Sequence, residues 1–338
     1  MTDLPSWRDT PTRTAILDLV AAITTGPGAL PVEERVAVFD NDGTLWAEKP
    51  MPVQLHFLVE QWARAAATDP ALAQTEPYRA ASTGDLAWLG AAIDKHYAGD
   101  DSDLRPLIEA VVAVQEGRSV GQYADEVRAF LDTAVHPALG LPYRYATYQP
   151  MRELLDLLRA HGFTTYITSG GDRDFMRPFT EDYYGVAPEQ VVGSSLGLTF
   201  DEEKADVVYG SAFSFLDDGP EKPVRIWSRT GRRPVLAVGN SNGDVPMLGY
   251  AAAHPRGLAL LIHHDDPDRG DPPYDAGADQ ALATAAEKGW TVVSVRDDWA
   301  QVFPVPPGDP PSRSTGGAAG SAAGGAAGTG PRDGTQAP

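Results

Sequence analysis

Apolar residues recur along this chain with two different periods. Ile16, Leu19, Val20 and Ile23 fall at i, i+3, i+4 and i+7, so residues 12–23 predict an amphipathic helix that Pro27 and Gly28 end. Val36-Ala37-Val38-Phe39 shows no polar alternation. A short all-apolar run of this kind suits a strand buried on both faces, as in a parallel sheet. Further β-rich runs lie at residues 163–168, 191–192 (a short strand), 235–238, 258–262 and 290–295. Residues 151–160 are helical by spacing, through Leu154, Leu155 and Leu158, with Gly162 as the stop.

The spacing of the strands is uneven. Between the first and second lies a long stretch with helical patterns at residues 57–67, 86–97, 104–115 and 120–133, and no convincing buried strand interrupts it. This organisation predicts an α/β fold of βαβ units with a parallel sheet, interrupted by an inserted α-helical domain. The core would comprise residues 1–49 and 145–303, and the insert residues 50–144. Composition breaks at Pro304: residues 304–338 hold 9 of the 34 Gly and 7 of the 29 Pro. Such a segment buries too little apolar surface to offset its ordering entropy, which predicts a disordered tail.

Charge and cysteine content then narrow the function classes. Lys plus Arg number 27 against 47 Asp plus Glu, a formal net charge of −20. The four tail charges cancel (Asp309, Arg313, Arg332 and Asp333), so the whole surplus belongs to residues 1–303. Such a body is repelled by phosphate backbones and anionic lipid, so neither nucleic acid nor a membrane surface is an expected partner. With no cysteine there is no disulfide, thiolate metal site or Cys nucleophile. The chain has no apolar run of the roughly 18 residues that a membrane span needs. Its first residues lack a basic flank followed by an apolar stretch, so a cytoplasmic protein is expected.

Four polar clusters fall at or between the C-terminal ends of the core strands, the edge where open α/β sheets bind ligands. They are Asp40-Asn41-Asp42-Gly43-Thr44-Leu45, then Thr168-Ser169-Gly170-Gly171, then Lys222 in Gly219-Pro220-Glu221-Lys222-Pro223, then Gly239-Asn240-Ser241-Asn242-Gly243-Asp244. A calcium loop does not fit the first, because a strand precedes it and Lys49 stands where the terminal Glu belongs. Taken singly, Ser169 reads equally as a helix cap, and Lys222 reads more readily as an ordinary surface lysine. Side chains alternate along an extended strand, so Asp40 and Asp42 point to one side.

Asp40-Asn41-Asp42-Gly43-Thr44-Leu45, Ser169, Lys222 and Gly239-Asn240-Ser241-x-x-Asp244 together resemble the four ordered motifs of the haloacid dehalogenase superfamily of phosphohydrolases. Ser169-Gly170-Gly171 is most similar to the phosphoserine-phosphatase-like branch. The resemblance spans residues 35 to about 265. It implies a Rossmann-like three-layer core with a helical cap and a Mg²⁺-dependent phosphatase acting on a small organic phosphate ester. Asp40 would be the nucleophile, forming an aspartyl-phosphate, and Asp42 the general acid and base. Ser169, Gly170 and Lys222 would hold the phosphoryl group. Asp40, Asp42 through its carbonyl, Asn240 and Asp244 would hold the metal.

Asn240 departs from the family pattern, which usually has Asp there, and leaves open whether Asn240 or Asp244 is the direct ligand. Glu203-Lys204 is a rival third motif but falls in an expected surface hairpin between Leu198 and Tyr209. The alternatives are a dehalogenase or phosphotransferase on the same scaffold, or a non-catalytic metabolite-binding protein. Asp42 argues against the dehalogenase, because halide leaves without a proton. Glu48, Arg173, Arg177, His263 and His264 are weaker candidates for substrate contact or proton transfer, with solvated charge as the plainer reading. Adjacent histidines on a strand point opposite ways, so at most one of the two faces a site. The tryptophans, Trp46 included, read as packing residues.

Overall fold

The computed structural model describes residues 4–97, 100, 102–270 and 272–306, so the tail expected at 304–338 lies almost wholly outside the described residues. Seven strands form one sheet: β1 (Val36–Phe39), β2 (Thr164–Asp172), β3 (Val191–Asp201), β4 (Asp206–Phe215), β5 (Leu236–Gly239), β6 (Leu258–His263) and β7 (Thr291–Ser294). Their order is β4-β3-β2-β1-β5-β6-β7, with every neighbouring pair parallel except β3 and β4.

The sheet is a middle layer because β1 is apolar at every position. Ala37 and Phe39 join a cluster with Ile16 and Ile23 of helix Pro11–Thr24 and Leu154 and Leu158 of helix Gln149–Ala160. Val36 and Val38 join the opposite cluster with Ile226, Met247, Leu248 and Ala281. These sit on helices Glu221–Thr230, Val245–Ala252 and Asp279–Lys288. Helices therefore cover both faces, as the continuous apolar run of β1 requires.

Between β1 and β2 the described residues form no strand of the sheet, and ahead of helix Gln149–Ala160 come helices Val53–Thr68, Tyr78–Thr83, Leu86–Tyr97, Leu104–Gln115 and Val120–Thr133. Helix Val120–Thr133 starts at a capping box in which Ser119 and Gln122 satisfy each other's backbone N–H groups. Phe57 and Trp62 of the first of these helices are buried, and Phe57 packs edge-on against Tyr123 and Phe130 and tilted on Phe175. Phe175 follows β2, so one apolar cluster runs from the core into the insert.

Two strands differ from expectation. β3 runs to Asp201 rather than ending at Val192, and β4 returns antiparallel beside it. Gly193, Ser194, Ser195 and Gly197 dilute its apolar signal, and its outer half is exposed. β2 extends through Ser169-Gly170-Gly171 to Asp172, with a register irregularity between Ser169 and Asp172. Among the described residues no helix is long and apolar enough to cross a membrane.

Candidate active site

The chain after β1 turns sharply to bring two carboxylates to one place. Asp40 extends β1 by donating its N–H to the Val238 carbonyl at 2.9 Å. Gly43 then takes φ +73° and bonds the Trp46 carbonyl, and a Cβ there would stand 2.2 Å from the Asn240 amide nitrogen. Only glycine combines that dihedral with that approach. Asp40 and Asp42 line one cavity of about 280 Å³ together with Ser169, Gly170, Lys222 and Asn240.

Lys222 comes from the first turn of helix Glu221–Thr230 and is 2% exposed. Its Nζ donates to Asp40 Oδ1 at 2.8 Å and to Asp244 Oδ1 at 2.6 Å. Burial alone would lower its pKa, yet the carboxylates of Asp244 and Asp40 hold it well above the usual lysine value. Asp244 is fully buried, and its Oδ2 accepts from the N–H groups of Asn240 and Ser241 and from the Ser241 hydroxyl. Both oxygens of Asp244 are thus engaged in holding Lys222 and the turn after β5. Gly239 permits this, since a Cβ there would stand 2.5 Å from the Asp244 carboxyl carbon.

Burial, with Asp244 next, raises the Asp40 carboxyl well above the usual range, and Lys222 opposes the shift. Burial and then Glu48 push Asp42 up to about 6, opposed by the Trp46 indole, which donates to Asp42 Oδ1 at 2.8 Å. Trp46 is fully buried and stacks on Phe179. It therefore packs as expected and also fixes a site carboxylate. Asn240 Oδ1 accepts from the Thr44 hydroxyl at 3.0 Å, while its Nδ2 faces Glu48 at 3.3 Å and the Tyr274 hydroxyl at 3.5 Å.

Ser169 is buried, and its Oγ accepts from Gly171 N–H within its own turn. The following helical turn is capped by Asp172, which accepts from Asp174 N–H at 2.9 Å. Gln54, from the insert, accepts from Asp172 N–H, and Ser194 donates to the Gly170 carbonyl at 2.7 Å. These two supports carried no motif signal. Arg173 and Arg177 both bond the Asp174 carboxylate and do not line the cavity. His263 bonds Asp275, whereas His264 points the other way, bonds the Gly43 carbonyl at 2.8 Å and stacks on Tyr274. Lys204 sits in the β3–β4 turn, paired with Asp201.

Residues 37–249 match the family model described as haloacid dehalogenase-like hydrolase. The chain belongs to this family. Several solved structures are similar to this chain at low identity. A conserved protein of unknown function from Anaerococcus prevotii matches with a TM-score of 0.53 at 16% identity, covering 87% of this chain and 94% of that one. A protein of unknown function from Bordetella pertussis gives 0.48 at 15% identity, over 77% and 98%. A phosphoserine phosphohydrolase-like protein from Francisella tularensis gives 0.40 at 16%, over 69% and 89%. A search of curated protein sequences gives no significant match. A larger cavity of about 380 Å³, lined by Arg128, Arg144 and Arg152 among others, contains none of the motif residues of this hydrolase.

Proposed function

We propose that this hydrolase is a Mg²⁺-dependent phosphatase of small organic phosphate monoesters, with residues 50–144 acting as a cap over the site. The observation that carries the reading is the buried Lys222 held between Asp40 and Asp244 in the cavity that Asp42 also lines. A fixed cation next to a carboxylate nucleophile is what a dianionic phosphoryl group requires for approach.

The donor set fits a hard divalent cation. Asp40, Asp42, Glu48 and Asp218 line the cavity with Lys222 as the cation, so the described lining is short of positive charge. Asp40, the Asp42 carbonyl and Asn240 Oδ1 are oxygen donors of the right class. Asp244, with both oxygens engaged, serves better as a positioning residue for Lys222. Bound Mg²⁺ would supply the charge that lets a carboxylate and a phosphate meet.

Lys222 holds Asp40 Oδ1, which leaves Oδ2 to attack phosphorus. The P–O ester bond breaks, and the leaving oxygen takes the proton of Asp42. Burial and then Glu48 raise the Asp42 carboxyl above the usual range, which favours the protonated form that role needs. Asp42 then accepts a proton from water, whose oxygen attacks phosphorus, and the acyl phosphate bond breaks to restore Asp40. Ser169 and Gly170 would donate to the phosphoryl oxygens.

The test is phosphate release from a panel of monoesters with Mg²⁺, by wild type and by Asp40→Asn. Release that Asp40→Asn abolishes supports the reading. Halide release from 2-haloacids would put the dehalogenase in its place, and saturable binding without turnover the metabolite-binding protein.

A further inference from the structure

We infer that the substrate's leaving group is an apolar body with no second negative charge. This inference rests on the phosphatase reading and adds the substrate class. The cavity lining includes Leu55 and Leu58 of helix Val53–Thr68, Leu104 of helix Leu104–Gln115, and Leu216 after β4. An adjoining cavity of about 120 Å³ shares Gln54, Gly170 and Leu216 with it and continues between Ile108, Val111 and Phe213. An alkyl or aryl group on the phosphate has these leucines to pack against, while Asp172, Ser194 and Ser195 give the adjoining cavity its polar part.

Charge points the same way. Among the described residues lining the cavity, Lys222 is the cation, and Asp40 and Asp244 already hold it. Glu48 and Asp218 add two further carboxylates to the lining. Arg173 and Arg177 are tied to Asp174, and Lys49 lies over the Tyr274 ring, 4.6 Å from its centre. A carboxylate or second phosphate on the leaving group would be desolvated beside like charge with nothing to pair it. A leaving group bearing an amine would meet Glu48 or Asp218 instead. A phosphorylated amino acid is therefore a poor fit, despite the Ser169-Gly170-Gly171 turn.

The experiment compares kcat/KM of the full chain, with Mg²⁺, for pentyl phosphate, 5-aminopentyl phosphate and 4-carboxybutyl phosphate. All three leave as primary alcohols, so leaving-group chemistry is nearly constant. The carboxylate should be slower than pentyl phosphate by about tenfold or more, the size of one unfavourable charge contact. The amine should equal or exceed pentyl phosphate. Across ethyl, propyl and pentyl phosphate, kcat/KM should rise about two- to fourfold per methylene. Leu104→Lys, at a half-buried position, should bring the carboxylate back towards pentyl phosphate. Equal or faster turnover of the carboxylate by wild type, or no rise with chain length, overturns the inference alone. Release from none of these esters nor from the wider panel overturns the phosphatase reading, and the inference with it.

Discussion

The fold does not accommodate a charge on Asp217. This residue lies just after β4, fully buried, and both its carboxyl oxygens lack a hydrogen-bond partner among the described residues. Its backbone N–H donates to Ser194 Oγ at 2.9 Å, so the chain is pinned there. Burial pushes the carboxyl up to about 7, with Lys222 and Arg225 opposing the rise. The folded protein keeps a proton that the unfolded chain gives up near 3.8. Stability from this group is therefore full below that value and is lost as pH rises through about 7. A shift of this size corresponds to about 4 kcal/mol at complete ionisation, more than half of which falls between pH 5 and pH 8. Asp217→Asn keeps the shape and removes the titration. At about 2 °C per kcal/mol for a chain of this size, the Tm advantage of the variant should grow by roughly 5 °C from pH 5 to pH 8. Thermal unfolding of both proteins across that range measures it, and other titrating groups cancel in the difference. A difference that stays constant or shrinks with pH refutes the reasoning.

Gly43→Ala places a Cβ 2.2 Å from the Asn240 amide nitrogen at a positive φ, so it should cost about 1–3 kcal/mol of stability and lower kcat with it. Calorimetry and initial rates on the same preparation check both. Asp244→Ala releases Lys222 from one carboxylate, and kcat for a phosphate ester should fall about a hundredfold or more. Retained kcat would show that Asp40 alone positions the lysine. Stripping divalent cations with a chelator should abolish phosphate release, and adding Mg²⁺ back should restore it. Activity that survives exhaustive chelation would remove the metal from the mechanism.

Much of the fold was legible because it rests on local pattern. β1 lacks polar positions, and a strand with two apolar faces can be satisfied only between two helical layers. Helices at residues 86–97, 104–115 and 120–133 appear with the expected bounds, since their amphipathic spacing is long and regular. The β3–β4 hairpin was expected between Leu198 and Tyr209, but not the full length of β4, whose outer residues are held by pairing with β3 rather than marked by their own periodicity. The helices at 78–83, 245–252 and 279–288 were missed as well, being short, rich in Ala, or opened by Val245-Pro246.

At the site, the ordered motifs named Asp40, Asp42, Ser169, Gly170, Lys222, Asn240 and Asp244 as candidates, and the structure sets all but Asp244 around one cavity. Asp244 lies behind it, reached through Lys222. The sequence by itself determined which chemistry-bearing groups the chain has and that they lie at strand ends, because backbone dihedrals and alternation are local properties. It also determined the acidity of the body and the helical nature of the insert. Only the tertiary structure decided how those groups are used: that Asp244 holds Lys222, that Trp46 bonds Asp42, that Ser194 and Gln54 brace the Ser-Gly-Gly turn, and that Arg173 and Arg177 face Asp174. Three of these contacts, Lys222 with Asp244, Ser194 with Gly170 and Gln54 with Asp172, each join residues 22 or more positions apart in a buried or half-buried place. Their strength comes from excluding water, and no local pattern records which distant group does that.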